Sequence, residues 1–341
     1  MLLCNMSLEQ PQIDIVQAKV FVYTLPFQSA MQFKHVKLHR RKGLLLKLVD
    51  INGANYFSEI APLPGFSDET FAQVKTEIIK ILSDDISMLT KKKSHYKSVQ
   101  FTLDTVFINS EERLKRQQPN IDNVPLLHGN CELIAEQYQQ LDYPNLIKLK
   151  VARQSVDADI ATFQMLCELN PLLKIRCDAN QAWNKQQATQ FFSAINTLQL
   201  DYIEEPTCNH QTNLNIADKY QVYLGLDESL QPSDFSYQHH HCIKAFIIKP
   251  TLIGNLKKID QLVSLSIQHG LTINFSSSFE SVIGLQTLKG LASHYLAQKN
   301  TQKPVISLGI DTLKYFNSAL LMDEQKMEQD CQQLEVLWSS H

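Results

Sequence analysis

Between residues 15 and 60 apolar and polar side chains alternate with a period of two, through VQAKVFVYTL and then FKHVKLHRRKGLLLKLVDINGANYFSEI. That period belongs to antiparallel strands with one buried face, and Asn52-Gly53 marks a hairpin turn between two of them. The loop APLPGFSDET is stiffened by Pro62 and Pro64, and Ser67 is placed to cap the helix that follows. Helical periodicity covers about 68–83 and 97–116. Strands first and helices afterwards predict a separate α+β domain.

From about residue 125 short apolar runs alternate strictly with longer amphipathic stretches. The runs are VPLLHG, NLIKLKV, LLKIRCD, LDYIEE, VYLGLDE, AFIIKP, LTINFSS and VISLGI, which is the strand count of a (β/α)8 barrel. Helical patterns separate them, from CELIAEQYQQL through NLNIADKY, one near SDFSYQHH, and NLKKIDQLVSLSIQHG to VIGLQTLKGLASHYLA. In NLKKIDQLVSLSIQHG, Asn255 is placed as the N-cap and Gly270 as the left-handed stop. The pattern predicts an α/β chain: an α+β capping domain over 1–120, a TIM-type barrel over 121–317, and a polar tail over 318–341 that returns to the first domain.

Charge changes this picture most where it ends the apolar runs. Lys150 in LIKLKVAR, Asp178 in LLKIRCDAN, Glu204 in DYIEEP, Asp227 in YLGLDES and Lys249 in AFIIKP are separated by 28, 26, 23 and 22 residues. Each interval fits one strand, one helix and two loops, so five successive units aim one charged group apiece at the C-terminal mouth of the barrel. Three carboxylates are the oxygen donors that a hard divalent cation takes. Lys150 and Lys249 flank them. A lysine is a weak base at its ordinary pKa, and burial beside Lys148, Lys249 and a metal would push Lys150 toward neutrality. Asn180, two residues past Asp178, shares its face and is placed to orient a ligand or a lysine.

Composition excludes more than it assigns. The chain of 341 residues is 44% hydrophobic and 20% charged with a net charge of −3, so nothing favours nucleic acid or an acidic membrane as partner. No apolar run reaches the length of a membrane span, and MLLCNMSLEQ lacks the form of a secretory signal. Seven scattered cysteines without a CxxC pair read as reduced, mostly buried thiols in a cytoplasmic protein.

The order KLKVAR, DANQAW, IEEP, LDES and IIKP resembles the enolase superfamily, in its muconate-lactonising subgroup. EIAPLPGFSDET, IRCDANQAW, IIKPTLIGNL and FSSSFESVIGLQ extend the resemblance, from about Val20 to Leu313, to the o-succinylbenzoate synthase family of menaquinone biosynthesis. SVQFTLDTVFI departs from the alanine-rich helix of that pattern. The resemblance implies a hydro-lyase that dehydrates 2-succinyl-6-hydroxy-2,4-cyclohexadiene-1-carboxylate to 2-succinylbenzoate through a Mg²⁺-stabilised enediolate. It implies one Mg²⁺, with Mn²⁺ able to substitute, on Asp178, Glu204 and Asp227. Lys150 then abstracts the α-proton, Lys249 stabilises the enediolate from the opposite face, and Lys148 tunes Lys150. A small-molecule carboxylate is the expected substrate, and no obligate protein partner is implied. The alternative on the same residues is an N-acylamino acid racemase or dipeptide epimerase, which needs a base on each face. A non-catalytic metal-binding barrel would break the constellation, and here every position is intact.

Other residues are weighed beside these. Arg176, two before Asp178, either tunes it or fills a core layer. Ser277 and Ser278 end the seventh barrel strand, where they either hold a substrate carboxylate or form a solvated loop. Phe66 is a candidate lid over the mouth. Glu205 is assigned a supporting or structural role and Trp183 a packing one. The triplet His239–His241 invites a metal reading, but consecutive residues do not converge on one ion in a helix or strand, so a solvated helix end is expected.

Overall fold

The computed structural model describes residues 13–108, 121–298 and 303–340. Three antiparallel strands come first: β1 (Ile15–Phe33), β2 (Val36–Asp50) and β3 (Asn55–Ile60). Gly53, at φ +81°, makes the expected turn between β2 and β3. Helices α1 (Phe71–Ser83) and α2 (Lys97–Thr105) pack against this sheet. The helix start differs from expectation. Thr70 is the N-cap, in a reciprocal capping box with Gln73, while the Ser67 hydroxyl accepts the Leu63 N–H inside the preceding loop. In α2 the two buried threonines are satisfied, Thr102 donating to Glu59 O and Thr105 to Phe101 O, whereas the buried Ser98 hydroxyl has no partner. The second half of the expected 97–116 helix lies outside the described residues.

The second sheet is all parallel. Strands β4 (Leu126–Leu127), β5 (Leu146–Lys150), β6 (Lys174–Asp178), β7 (Leu200–Glu204), β8 (Leu224–Leu226), β9 (Ile243–Ile248), β10 (Thr272–Ser276) and β11 (Val305–Gly309) neighbour one another in chain order. Closure comes from residues 122–124: Val124 N donates to Leu308 O at 2.9 Å and Leu308 N to Asp122 O at 2.9 Å. This is an α/β, TIM-type barrel, and all eight expected runs contribute a strand.

Outside the barrel run α3 (Cys131–Gln140), α4 (Val156–Leu169), α5 (Lys185–Ala194), α6 (His210–Tyr220), α7 (Leu256–His269) and α8 (Val282–Ala297). Asn255 caps α7 by accepting the Lys258 N–H at 2.8 Å, and Gly270 ends it at φ +65°. No helix forms near SDFSYQHH. Residues 235–240 are irregular, and His240 and His241 lie in a connection outside any helix or strand. The argument against convergence of neighbouring histidines therefore loses its premise: the two rings stack at 4.7 Å and both face Asp218. The "mostly buried" expectation for cysteines is also too strong. Of the six described, all free, Cys177, Cys242 and Cys331 are buried and the other three are not.

After the barrel come a short helix α9 (Met327–Gln332) and β12 (Glu335–Ser339), which pairs antiparallel with β1. The first sheet thus runs β12-β1-β2-β3. An apolar cluster joins it to the barrel top, with Phe21, Tyr23, Phe27 and Leu63 from one side and Leu252, Val282, Ile283 and Phe316 from the other. Among the described residues no helix is long and apolar enough to cross a membrane.

Candidate active site

Strand register builds the site. Lys150 pairs with Asp178, Asp178 with Glu204 and Glu204 with Gly225, so the three charged side chains share one layer at the C-terminal mouth. The period of two sets Lys148 and Arg176 in the layer beneath. Asp227 lies two residues past Gly225, and Lys249 directly follows β9. Gly225 itself is required by closeness, because a Cβ there would sit 2.6 Å from Ile247 Cδ1.

Asp178, Glu204 and Asp227 are each about 1% exposed. Lys148 Nζ lies 2.7 Å from Asp178 Oδ2 and 2.6 Å from Glu204 Oε2. Lys150 Nζ donates to the same Asp178 oxygen at 2.6 Å and to Asn180 Oδ1 at 2.9 Å. Across the mouth, Lys249 Nζ is hydrogen-bonded to Asp227 Oδ2. Two oxygens are left over: Glu204 Oε1 and Asp227 Oδ1 are buried without a partner. A buried carboxylate oxygen without a donor is costly, and hard oxygens of this kind fit a divalent cation.

The charges shape one another. Burial lowers the Lys150 pKa, aided by Lys148 and Lys249 and opposed by Asp178. Lys148 and Lys249 are buried too, but their carboxylate neighbours prevail and raise both. Burial and then Asp178 push Glu204 up to about 8. Burial also acts upward on Asp178, yet Lys148, Lys150 and Lys249 hold it well below the usual carboxylate range. Of the two lysines flanking the carboxylates, only Lys150 is shifted toward a usable base.

The surrounding residues divide into those at the mouth and those below it. Asn180, at φ +44°, takes Arg153 as well as Lys150 on its carbonyl oxygen, and its backbone N–H donates to Asp178 Oδ1 at 3.1 Å. Arg176 bonds Asp201 at 2.8 Å and Ser307 at 2.8 Å and lies over the Tyr202 ring, which is the core-layer option rather than contact with Asp178. The Glu205 carboxylate accepts the Asp227 and Ser229 N–H groups at 2.9 Å each, so it braces the turn that aims Asp227. Ser277 gives its hydroxyl to Glu280, whereas the buried Ser278 hydroxyl has no partner. The Phe66 ring sits 5.8 Å from Lys249 Nζ and 4.6 Å from Lys34 Nζ, so the loop from the first sheet reaches the mouth. Trp183 packs on Phe191.

Sequence reasoning missed Glu228. Adjacent residues on a strand face opposite ways, which sets Glu228 apart from Asp227. The chain leaves the strand at Asp227 (φ −123°, ψ −80°) and turns, and Glu228 Oε1 comes to accept the Asn180 amide at 3.3 Å. Burial, then Asp227, raises its pKa to about 7. Its place inside LDES, rather than any periodicity, was the available signal.

Comparison with known proteins agrees with this architecture. The family model "MenC, N-terminal domain" matches residues 15–109, and "Enolase C-terminal domain-like" matches residues 133–311. The o-succinylbenzoate synthase of Yersinia pestis (strain Pestoides F) is 31% identical over 304 residues, spanning 87% of this chain and 90% of that one. The chain belongs to the o-succinylbenzoate synthase family of the enolase superfamily. Among solved structures, o-succinylbenzoate synthase from Thermosynechococcus elongatus BP-1, complexed with Mg in its active site, superposes with a TM-score of 0.72 at 24% identity, covering 94% of this chain and 100% of that one. The N-succinyl Arg/Lys racemase of Bacillus cereus ATCC 14579 reaches a TM-score of 0.75 at 15% identity, covering 96% and 99%. At those identities the likeness is one of fold. The scaffold houses more than one reaction in the superfamily, while the sequence relatives carry the synthase name.

Proposed function

We propose that Asp178, Glu204, Asp227, Lys150 and Lys249 carry out the family's hydro-lyase reaction, the dehydration of 2-succinyl-6-hydroxy-2,4-cyclohexadiene-1-carboxylate to 2-succinylbenzoate. The observation that carries the assignment is the pair of buried, unpartnered oxygens on Glu204 and Asp227, flanked by lysines on either side. Asp178, Glu204 and Asp227 would hold one Mg²⁺, which would supply the positive charge that offsets the charge developing on the substrate carboxylate. Lys150 takes the α-proton, and the C–H electrons pass into the enediolate. Lys249, held as a cation by Asp227, faces the developing negative charge from the other side. Collapse of the enediolate expels the C6 hydroxyl, and with the proton held by Lys150 the net loss is one water. Lys148 neutralises Asp178 and Glu204 from beneath, and Asn180 fixes the direction of the Lys150 ammonium. Phe66 excludes water above Lys249.

The test separates the lysines. Lys150→Ala should lose dehydration by about 10²–10⁴-fold and stop exchange of the substrate α-hydrogen with solvent. Lys249→Arg keeps the charge and should retain part of the dehydration. Steady dehydration by Lys150→Ala would overturn the assignment. Robust racemisation of N-succinyl amino acids with little dehydration would move it to the two-base isomerases.

A further inference from the structure

At the opposite end of the barrel four potential ligands meet. Asp218 projects from the last turn of α6, and His240, His241 and Cys242 come from the connection that enters β9. One ligand atom from each lies within 4.8 Å of all the others. Asp218 Oδ1 is 3.0 Å from Cys242 Sγ and 3.2 Å from His241 Nε2, while Sγ and that Nε2 are 3.4 Å apart. His240 Nε2 lies 3.6 Å from Asp218 Oδ2. Bond lengths of 2.0–2.3 Å around a tetrahedral ion place neighbouring ligand atoms about 3.3–3.7 Å apart, close to these separations.

We propose that Asp218, His240, His241 and Cys242 form a second metal site, for Zn²⁺ or an ion of that class, separate from the carboxylate site at the mouth. The donor set decides the class. A thiolate and two imidazoles suit zinc and its neighbours, whereas Mg²⁺ takes oxygens alone. Four protein ligands close the coordination sphere, which is the form of a structural site rather than a catalytic one. Cys242 is 3% exposed and forms the floor, while the His241 side chain, 72% exposed, forms the rim. His239 is not part of the site, since its ring lies on His269 at 4.7 Å. Binding displaces the Cys242 thiol proton to solvent. The ion ties the end of α6 to the entry of β9, and β9 runs about 20 Å from there to Lys249.

The test uses the full-length enzyme saturated with Mg²⁺. One equivalent of Zn²⁺ should bind in equilibrium dialysis, and Co²⁺ in its place should give thiolate-to-cobalt charge transfer with the strong visible bands of a tetrahedral ion. Cys242→Ser should remove the charge-transfer band, and His241→Ala should weaken Zn²⁺ binding by about 100-fold or more. Both should keep Mg²⁺-dependent dehydration, while Glu204→Gln should keep the cobalt band. Failure to bind Zn²⁺, binding unchanged in both Cys242→Ser and His241→Ala, or a band lost only in Glu204→Gln would each overturn the proposal.

Discussion

The buried carboxylates at Glu59 and at the barrel mouth treat their oxygens differently. Glu59, at the end of β3, is fully supplied. Its carboxylate accepts the Tyr23 hydroxyl, the Ser281 N–H and hydroxyl, and the Gly284 N–H at the start of α8. Gly284 has no room for a side chain, since a Cβ would lie 2.8 Å from Glu59 Oε2. Arg41, 1% exposed, completes the joint by donating to the carbonyls of Ala61, Pro62 and Phe279. At the barrel mouth, by contrast, Glu204 and Asp227 each keep one oxygen without a donor. Buried polar groups are normally satisfied, so the complete cluster reads as architecture and the incomplete one as a binding site. Charge and burial alone do not distinguish them; the account of hydrogen bonds does.

Breaking the incomplete cluster should cost activity before stability. Glu204→Gln should reduce dehydration by roughly 10³-fold or more and weaken Mg²⁺ binding in calorimetric titration. Its melting temperature without metal should change little. Near-normal turnover by this variant in EDTA would show that the carboxylates are not the metal site.

Breaking the complete cluster should do the reverse. Glu59→Gln replaces an acceptor of several hydrogen bonds with an amide whose N–H₂ faces other donors, at a cost of about 3 kcal/mol. The melting temperature should fall by roughly 4 °C, with Mg²⁺ affinity unchanged. A loss of Mg²⁺ affinity as large as that in Glu204→Gln would erase the distinction between the clusters.

Phe66 belongs to neither cluster and sharpens the comparison, because it reaches the mouth from the sheet that Glu59 anchors. Phe66→Ala removes the ring beside Lys249 and should raise KM about 10-fold while leaving metal affinity alone. Equal weakening of the metal would place the ring among the supports of the carboxylates.

The smallest effect concerns a carboxylate at neither place. Asp159 in α4 accepts the Ala152 N–H at 2.8 Å, and burial raises its pKa to about 6 despite that bond. A carboxyl whose folded pKa is raised holds its proton more tightly when folded, so its contribution to stability falls as pH rises from about 4 to about 6. Asp159→Asn should flatten that part of the stability-pH curve, an effect of roughly 1–2 kcal/mol after solvent screening. An unchanged slope in denaturant titrations across this window would remove Asp159 as its source.

The barrel and the order of its charged strand ends were legible because strands and helices repeat. Regular spacing turns position in the chain into position in space, so the sequence alone aligns Lys150, Asp178 and Glu204. The same logic failed wherever the chain leaves a regular element. Glu228 turns back toward Asn180 only because the strand ends at Asp227, and His240 and His241 face Asp218 only because 235–240 forms no helix. Ser67 was misread for a related reason: a hydroxyl three residues too early found a partner within its own loop. Glu59 and Ser281 lie in motifs that carried the resemblance, EIAPLPGFSDET and FSSSFESVIGLQ, but no periodicity showed that they meet Tyr23, because that contact is made by tertiary packing.

The pairing of β12 with β1, Lys19 opposite Ser339, sets an order on biosynthesis. On the ribosome β1 to β3 emerge first and must wait through the whole barrel before their fourth strand is translated. During that interval β1 presents an open edge, with backbone groups ready to pair with another chain. A message cut short before β12, or a protease nick near residue 320, would therefore release a barrel with all five charged strand ends in place beside an aggregation-prone sheet.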